Sequence, residues 1–340
     1  MKSKTNTKSR LTPERLMQMS WGFAAPLIIE AAVKHKIFDL LDASPKTASQ
    51  LAAKSGASLR GVTAICNALV GLHLLARDGN RYRLEPESAA FLVSNKPGYH
   101  GSFFTHMSTQ LVPNWLSLAK VVRDGKPVTS VNSEGEGSEF FAAFVESLFP
   151  LSYGAAQALG GHLGIPKSKD RVSVLDLAAG SGVWGIALAQ MSPHVQINAL
   201  DWPNVLAVTK KVAQQHGVAK QFTGIPGDLL RAPFGKNHNV ATLGHILHSE
   251  GAARSQQLLK KTFDALAPGG TIAIMEFLVK QDRTEPAIGL LFAVNMLVNT
   301  EEGDAFSFEE ISGWLRKAGF VKPRLLDVPA VSPLILATKP

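Results

Sequence analysis

The sequence predicts an α/β fold: a mostly parallel sheet with helices on both faces, preceded by a mostly helical module that closes on a wing. Three observations predict it. From Arg171 onward, short apolar runs alternate with helical segments. Between Leu59 and Leu84, an apolar helix leads into a hairpin around Asp78-Gly79. The run Val172-Ser173-Val174-Leu175-Asp176-Leu177-Ala178-Ala179-Gly180-Ser181-Gly182 reads as a buried strand that turns through glycines into a helix. Such a turn presents backbone N–H groups at a helix N-terminus and lets a ligand approach the main chain. With 340 residues, length alone suggests about two domains.

The elements follow in order. Residues 1–12 read as a disordered basic tail, with Lys2, Lys4, Lys8 and Arg10 and no acid in the first ten. The formal net charge is +8, and four of those charges sit in the tail, so the body is only mildly basic. Residues 13–100 form the winged-helix module. Residues 14–42 are helical, Thr47–Gly56 and Leu59–Leu75 are two further helices, and Arg77–Leu84 is the wing. A DNA-reading helix should offer polar groups to base edges, but the second of these helices offers only Arg60 and Asn67. That much apolar surface wants a protein partner, which points to a dimerisation module. A winged-helix transcription regulator is the competing reading, and it predicts salt-dependent duplex binding.

Residues 101–165 form a helical connecting region rich in aromatics, with Asn132–Ser138 as a polar, glycine-rich loop. Residues 166–340 hold the α/β domain. Its strands are read at Val172–Leu177, Val195–Leu200, Phe222–Ile225, Val240–Ile246, Thr271–Phe277, Arg324–Val328 and Leu334–Ala337. Its helices are read at Val183–Met191, Val205–His216, Ala252–Ala267, Pro286–Val298 and Phe308–Ala318. Pro268-Gly269-Gly270 is expected to stop the third of these with a glycine C-cap.

Cys66 is the single cysteine, so an intrachain disulfide and a thiolate metal cluster are excluded. It lies in an apolar helix and reads as an inert buried thiol. The apolar runs near Phe23–Val33 and Ala287–Val298 are too short and interrupted to span a bilayer, and no signal core precedes them. A cytoplasmic protein without nucleic-acid or membrane partners is the expectation.

Gly180, Gly182 and Gly185 match G-x-G-x-x-G, and Asp201 follows Gly182 by 19 residues. Alone, this fits a nicotinamide dinucleotide site, with the acid on a ribose hydroxyl. Other residues point elsewhere. A pyrophosphate gains nothing from Asp176 inside the first strand, whereas a cationic cofactor does, either directly or through an oriented loop. Asp228, in Gly227-Asp228-Leu229, puts a further acid at a strand end. Leu266-Ala267-Pro268-Gly269-Gly270 leads into an apolar strand that ends at Glu276.

Together with Leu175–Gly182 and Asp201-Trp202-Pro203-Asn204-Val205, these stretches resemble the successive motifs of class I S-adenosylmethionine-dependent methyltransferases. The likeness is strongest to the O-methyltransferase branch that includes caffeate and acetylserotonin enzymes and bacterial pigment and polyketide methylators. It implies a Rossmann-like methyltransferase sheet, a winged-helix dimerisation domain that makes a homodimer, S-adenosyl-L-methionine as cofactor and no metal. Gly180 and Gly182 would carry the amino-acid part of the cofactor. Asp201 would accept from the ribose hydroxyls with Trp202 against the adenine, and Gly227, Asp228 and Leu229 would border the adenine's other side. His248 occupies the position of the family's base, and Glu276 matches an acid that flanks it. The family's Asp-Trp after the histidine is Ser249-Glu250 here, and its second flanking acid has no counterpart beyond Asp304-Ala305. His245, three residues before His248, reads as structural or cofactor-adjacent.

The expected reaction is methyl transfer to the hydroxyl oxygen of a small aromatic or polyketide-like acceptor. A phenol with a pKa near 10 is a poor nucleophile while protonated, so a base helps. Phe144, Leu148, Phe149, Asn295, Met296 and Asn299 are the acceptor-pocket candidates by position. N- or C-methylation, or a non-methylating use of the same cofactor, stays open at this point, as does the oxidoreductase.

Overall fold

Capping chemistry sets the first elements of the computed structural model, which describes residues 11–132, 134–330 and 332–340. Of the basic tail, residues 1–10 lie outside the described residues. The chain divides into two units, one ending at Thr109 and one beginning at Gln110. The first 9 residues of the expected connecting region thus belong to the first unit, and the rest belongs with the sheet.

The first unit contains α1 (Glu14–Ser20), α2 (Ala24–Lys34), α3 (Ile37–Asp42), β1 (Lys46–Thr47), α4 (Ala48–Ser55), α5 (Leu59–Gly71), β2 (Leu75–Asp78), β3 (Arg81–Leu84), α6 (Pro86–Phe91) and α7 (Gly101–His106). A capping box between Thr47 and Gln50 starts α4, and left-handed Gly56 ends it. β2 and β3 pair antiparallel across a two-residue Gly79-Asn80 turn, and β1 pairs with β3's other edge. This is the expected wing. Phe38, Leu51, Val62, Cys66, Leu69, Leu75 and Tyr82 form the core. Burial pushes the Cys66 thiol up to about 11, which keeps it protonated. Asn67 accepts from the Tyr82 hydroxyl at 2.7 Å, so one of the two groups that could read bases is already bound to the wing. The segment Glu14–Lys34, wider than the run seen in the sequence, is long and apolar enough to cross a membrane by length and composition.

The second unit opens with α8 (Val112–Trp115), α9 (Leu118–Asp124), α10 (Glu134–Phe144) and α11 (Phe149–His162). There follow β4 (Val172–Leu177), α12 (Val183–Met191), β5 (Val195–Asp201), α13 (Pro203–Gln215), β6 (Phe222–Pro226), β7 (His238–Gly244), α14 (Leu247–Ala265), β8 (Leu266–Met275), α15 (Ala287–Asn299), α16 (Phe308–Ala318), β9 (Val321–Leu326) and β10 (Leu334–Thr338). The sheet order is β6-β5-β4-β7-β8-β10-β9. The first five strands are parallel, and β10 runs antiparallel to both β8 and β9. Leu175, Leu177, Leu243 and Ile274 bury against α14 and α16. Val172, Val174 and Ile197 bury against α12 and α13, while α11 packs on α12 and on Ala273 and Met275. The order reverses between β4 and β7, and a crevice opens there beyond the strand C-termini.

Three expectations are corrected. Asn132–Ser138 is not a loop throughout, because α10 begins at Glu134. One of its two glycines serves packing: a Cβ on Gly137 would meet the Val131 carbonyl and the Trp202 ring. The helix before Pro268-Gly269-Gly270 ends earlier, at Ala265, with no glycine cap. That tripeptide already belongs to β8, where Gly269 N–H donates to the Lys339 carbonyl at 2.9 Å. Finally, β7 stops at Gly244, so His248 lies on a helical turn rather than on the strand's extension.

Candidate active site

The glycine turn is built by backbone that few side chains tolerate. Ala178, Gly180 and Gly182 all have positive φ, of 50°, 56° and 77°. At Gly182 a Cβ would also lie 2.8 Å from Thr209. Asp201, at the tip of β5, accepts from Gly180 N–H and from Trp202 N–H, both at 2.8 Å. Burial pushes its carboxyl up to about 6 despite these two donors. Asp176 stands behind the turn, fully buried and outside the cleft lining. It accepts from the Thr242 hydroxyl at 2.7 Å and from Gly185 N–H at 3.2 Å. It thereby ties β4 to β7 and to the first turn of α12. Burial, opposed by those two donors, leaves it at about 7.

The cleft is lined by the turn from Ala178 to Ser181, by Asp201 and Trp202, by Gly227, Asp228 and Leu229, and by Gly244, His245 and Ile246. Phe141, Val145 and Leu148 close it from the helical side, and Ser249 and Glu250 complete it. Asp201, Asp228 and Glu250 put three carboxylates in the lining, which among the described residues holds no lysine or arginine; Arg254 pairs with two of them from outside it, so acid stays in excess. Such a wall repels a pyrophosphate and attracts a cation. Asp228 is also a loop carboxylate, accepting from Leu230 N–H at 2.9 Å and pairing with Arg254 at 3.0 Å.

His248 sits beside this cleft. Its Nδ1 is 2.6 Å from Glu276 Oε2, and Glu276 Oε1 accepts from Leu247 N–H at 2.6 Å. Burial alone would raise the Glu276 carboxyl. The charge and hydrogen bond of His248, the His245 ring and the helix N–H outweigh it and lower the group overall. An ionised Glu276 requires the proton on Nδ1 and leaves the Nε2 lone pair free. The His248 ring packs edge-on against Phe292 at 4.8 Å between centroids, and Phe292 lies 4.2 Å from Phe277. His245 lies 6.3 Å from His248 and 4.9 Å from Phe277. Burial pushes His245 down to about 4, so it is neutral, and its Nε2 is buried without a hydrogen-bond partner. Asp304 meets His248 only through the backbone, donating its N–H to the His248 carbonyl at 2.9 Å. Among the described residues, a single carboxylate therefore orients this imidazole.

Comparison with known proteins agrees with this geometry. Residues 168–321 match the O-methyltransferase domain model, and residues 17–94 match the O-methyltransferase dimerisation domain. The tetracenomycin polyketide synthesis 8-O-methyl transferase of Streptomyces glaucescens is 28% identical over 335 residues, covering 96% of this chain and 97% of that protein. The 3-hydroxy-5-methyl-1-naphthoate 3-O-methyltransferase of Streptomyces sahachiroi is 28% identical over 314 residues, covering 90% of this chain and 89% of that one. Human N-acetylserotonin methyltransferase, solved in complex with SAM, superposes with a TM-score of 0.81 at 25% identity, covering 98% of this chain and 99% of that one. The chain belongs to the S-adenosylmethionine-dependent O-methyltransferase family.

The methyltransferase's cleft fits its cofactor. A sulfonium nucleoside is cationic, and the three carboxylates of the lining suit that charge as they would not suit a dinucleotide. Gly180 leaves its main chain approachable, since a Cβ there would meet nothing nearer than Val145 at 3.6 Å.

The acceptor-side candidates separate. Leu148 reaches the cleft, and Phe144 lies one helical turn from Phe140, 5.2 Å between rings. Phe149 turns the other way. It stacks on His216 at 4.7 Å and on Tyr153 at 5.2 Å, and packs into the core behind the sheet. Asn295, Met296 and Asn299 share α15 with Phe292, but their polar groups are already engaged. Asn295 accepts from Trp115 Nε1 at 2.8 Å, and Asn299 accepts from Asn114 at 2.7 Å. Met296 and Asn299 are buried. Phe277, Phe292 and Glu250 were not anticipated. Phe277 directly follows Glu276, which is a usable signal. Phe292 sits in an apolar helix where nothing separates a pocket residue from core.

Proposed function

We propose that this methyltransferase methylates a hydroxyl oxygen of a flat aromatic or polyketide-like acceptor, with His248 as general base and Glu276 as its orienting acid. The observation that carries the reading is the 2.6 Å contact between His248 Nδ1 and a buried Glu276, which leaves Nε2 outside that contact on a ring packed beside Phe277 and Phe292. When bound, S-adenosylmethionine supplies the methyl group and departs as a neutral thioether. The protein's own work is to hold the acceptor oxygen aligned and to take its proton at Nε2. Glu276 keeps the other nitrogen protonated and stabilises the imidazolium that forms. Aromatic walls favour a planar ring over a flexible chain.

One relative is named for 8-O-methylation in tetracenomycin polyketide synthesis and another for 3-O-methylation of a hydroxynaphthoate, which supports this acceptor class. We further infer that Gly180, Gly182, Asp201, Trp202, Asp228 and Leu229 hold the cofactor, with Asp176 fixing the turn from behind. The 17–94 match supports a homodimer. The test is an acceptor screen with a labelled methyl donor, run on the wild type and on His248→Ala. The variant should lose about 10²–10⁴-fold in turnover, the range of general base catalysis, with S-adenosylhomocysteine affinity unchanged. Undiminished turnover in the variant refutes His248 as base.

A further inference from the structure

We propose that Arg254 is a positioning residue for cofactor recognition, holding the Asp228 and Glu250 carboxylates of the cleft wall in place from behind. Its Nε donates to Glu250 Oε2 at 2.7 Å, and its NH2 group donates to Asp228 Oδ2 at 3.0 Å. The two acids come from different segments, one from the loop after β6 and one from the first turn of α14. Both line the cleft, whereas Arg254 does not.

Glu250 stands where the family motif has tryptophan, and it brings a buried acid beside Asp228. Left unpaired, two neighbouring carboxylates repel and one takes a proton. A guanidinium held between them offsets that repulsion, and its planar fork fixes their directions. The pairing also spans a break. Gly251, between Glu250 and Arg254, has φ 71° and ψ 171°, so helical hydrogen bonding does not align the two residues. Two turns further along α14, Lys261 Nζ donates to the carbonyls of Leu229, Leu230 and Ala232 at 3.1, 3.0 and 2.6 Å. One helix therefore grips the Asp228 loop by its side chain and by its backbone. His248 shares with Glu250 the short turn before the break at Gly251, so the Arg254–Glu250 pair ties that turn to the helix that follows.

This inference rests on Asp228 contacting the cofactor. The experiment is a double-mutant cycle on the full-length protein, with S-adenosylhomocysteine binding measured by calorimetry for wild type, Asp228→Ala, Arg254→Met and the double variant. Both single variants should weaken binding about tenfold, and Arg254→Met should add little once Asp228 is gone. If Asp228→Ala binds normally, the assumed contact itself is wrong. If Asp228→Ala weakens binding but Arg254→Met does not, or if the Arg254 effect persists in full without Asp228, the positioning role is overturned. Should Arg254→Met fail to fold, Arg254→Lys replaces it. That variant keeps the charge but cannot fork between two carboxylates, and it should lose affinity in the same coupled way.

Discussion

At the scale of single residues, protonation decides the chemistry. Glu276 is lowered by the His248 contact and stays ionised, so His248 is held in one tautomer. Glu276→Gln should therefore lower turnover about tenfold or more while leaving S-adenosylhomocysteine affinity intact, as expected for a lost orienting carboxylate. Steady-state kinetics and calorimetry on one preparation check both halves. Asp201 behaves differently. Burial raises it to about 6, and only its ionised form can accept from ribose hydroxyls without losing an acceptor to a proton. Cofactor affinity should rise as pH increases through about 6 and level off above it. Asp201→Asn should remove that rise and weaken binding about tenfold or more. A flat pH profile in the wild type would contradict the assignment.

At the scale of elements, Asp176 and Gly137 are the informative positions. Asp176 rises from 3.8 to about 7, so folding favours its protonated form. Its stabilising contribution is present below about pH 4 and fades as pH rises through about 7. Asp176→Asn, which keeps the shape without the charge, should remove that component. Denaturant melts should then show the variant gaining on wild type between about pH 4 and pH 7. Gly137→Ala should push α10 off the Trp202 ring and weaken both stability and cofactor binding, measurable by thermal melts with and without S-adenosylhomocysteine. Local chemistry also explains what the sequence made legible. Val172–Leu177, Val183–Met191 and Phe308–Ala318 matched their observed bounds, because apolar periodicity and a cap or glycine turn agree there. Where signals competed, tertiary contacts won. Pro268-Gly269-Gly270 looks like a helix stop, but pairing with Lys339 makes it strand. Asn132–Ser138 looks like a loop, but Gly137 lets a helix approach an aromatic ring.

At the scale of the whole molecule, the motif set pointed to residues that line one cleft more readily than to the aromatic residues beside His248. Acids at strand tips are rare enough to stand out, as Asp201, Asp228 and Glu276 did. Aromatic residues in helices are not: Phe149, expected at the pocket, packs on His216 and Tyr153, while Phe292 lies against His248. In the first unit, Leu16, Met17, Met19, Trp21 and Phe23 leave large apolar side chains exposed on α1 and the turn after it. A patch of this kind, within or next to the dimerisation match, is unfavourable in an isolated monomer. Light scattering should find about twice the 36.4 kDa chain mass, and Trp21→Glu with Phe23→Glu should shift the species toward monomer.

The most direct test of the account is a crystal structure with S-adenosylhomocysteine bound. The nucleoside should lie between Asp201 and Asp228, with its sulfur on the side that faces His248. A sulfur turned away from His248, or a nucleoside bound outside this cleft, would contradict it.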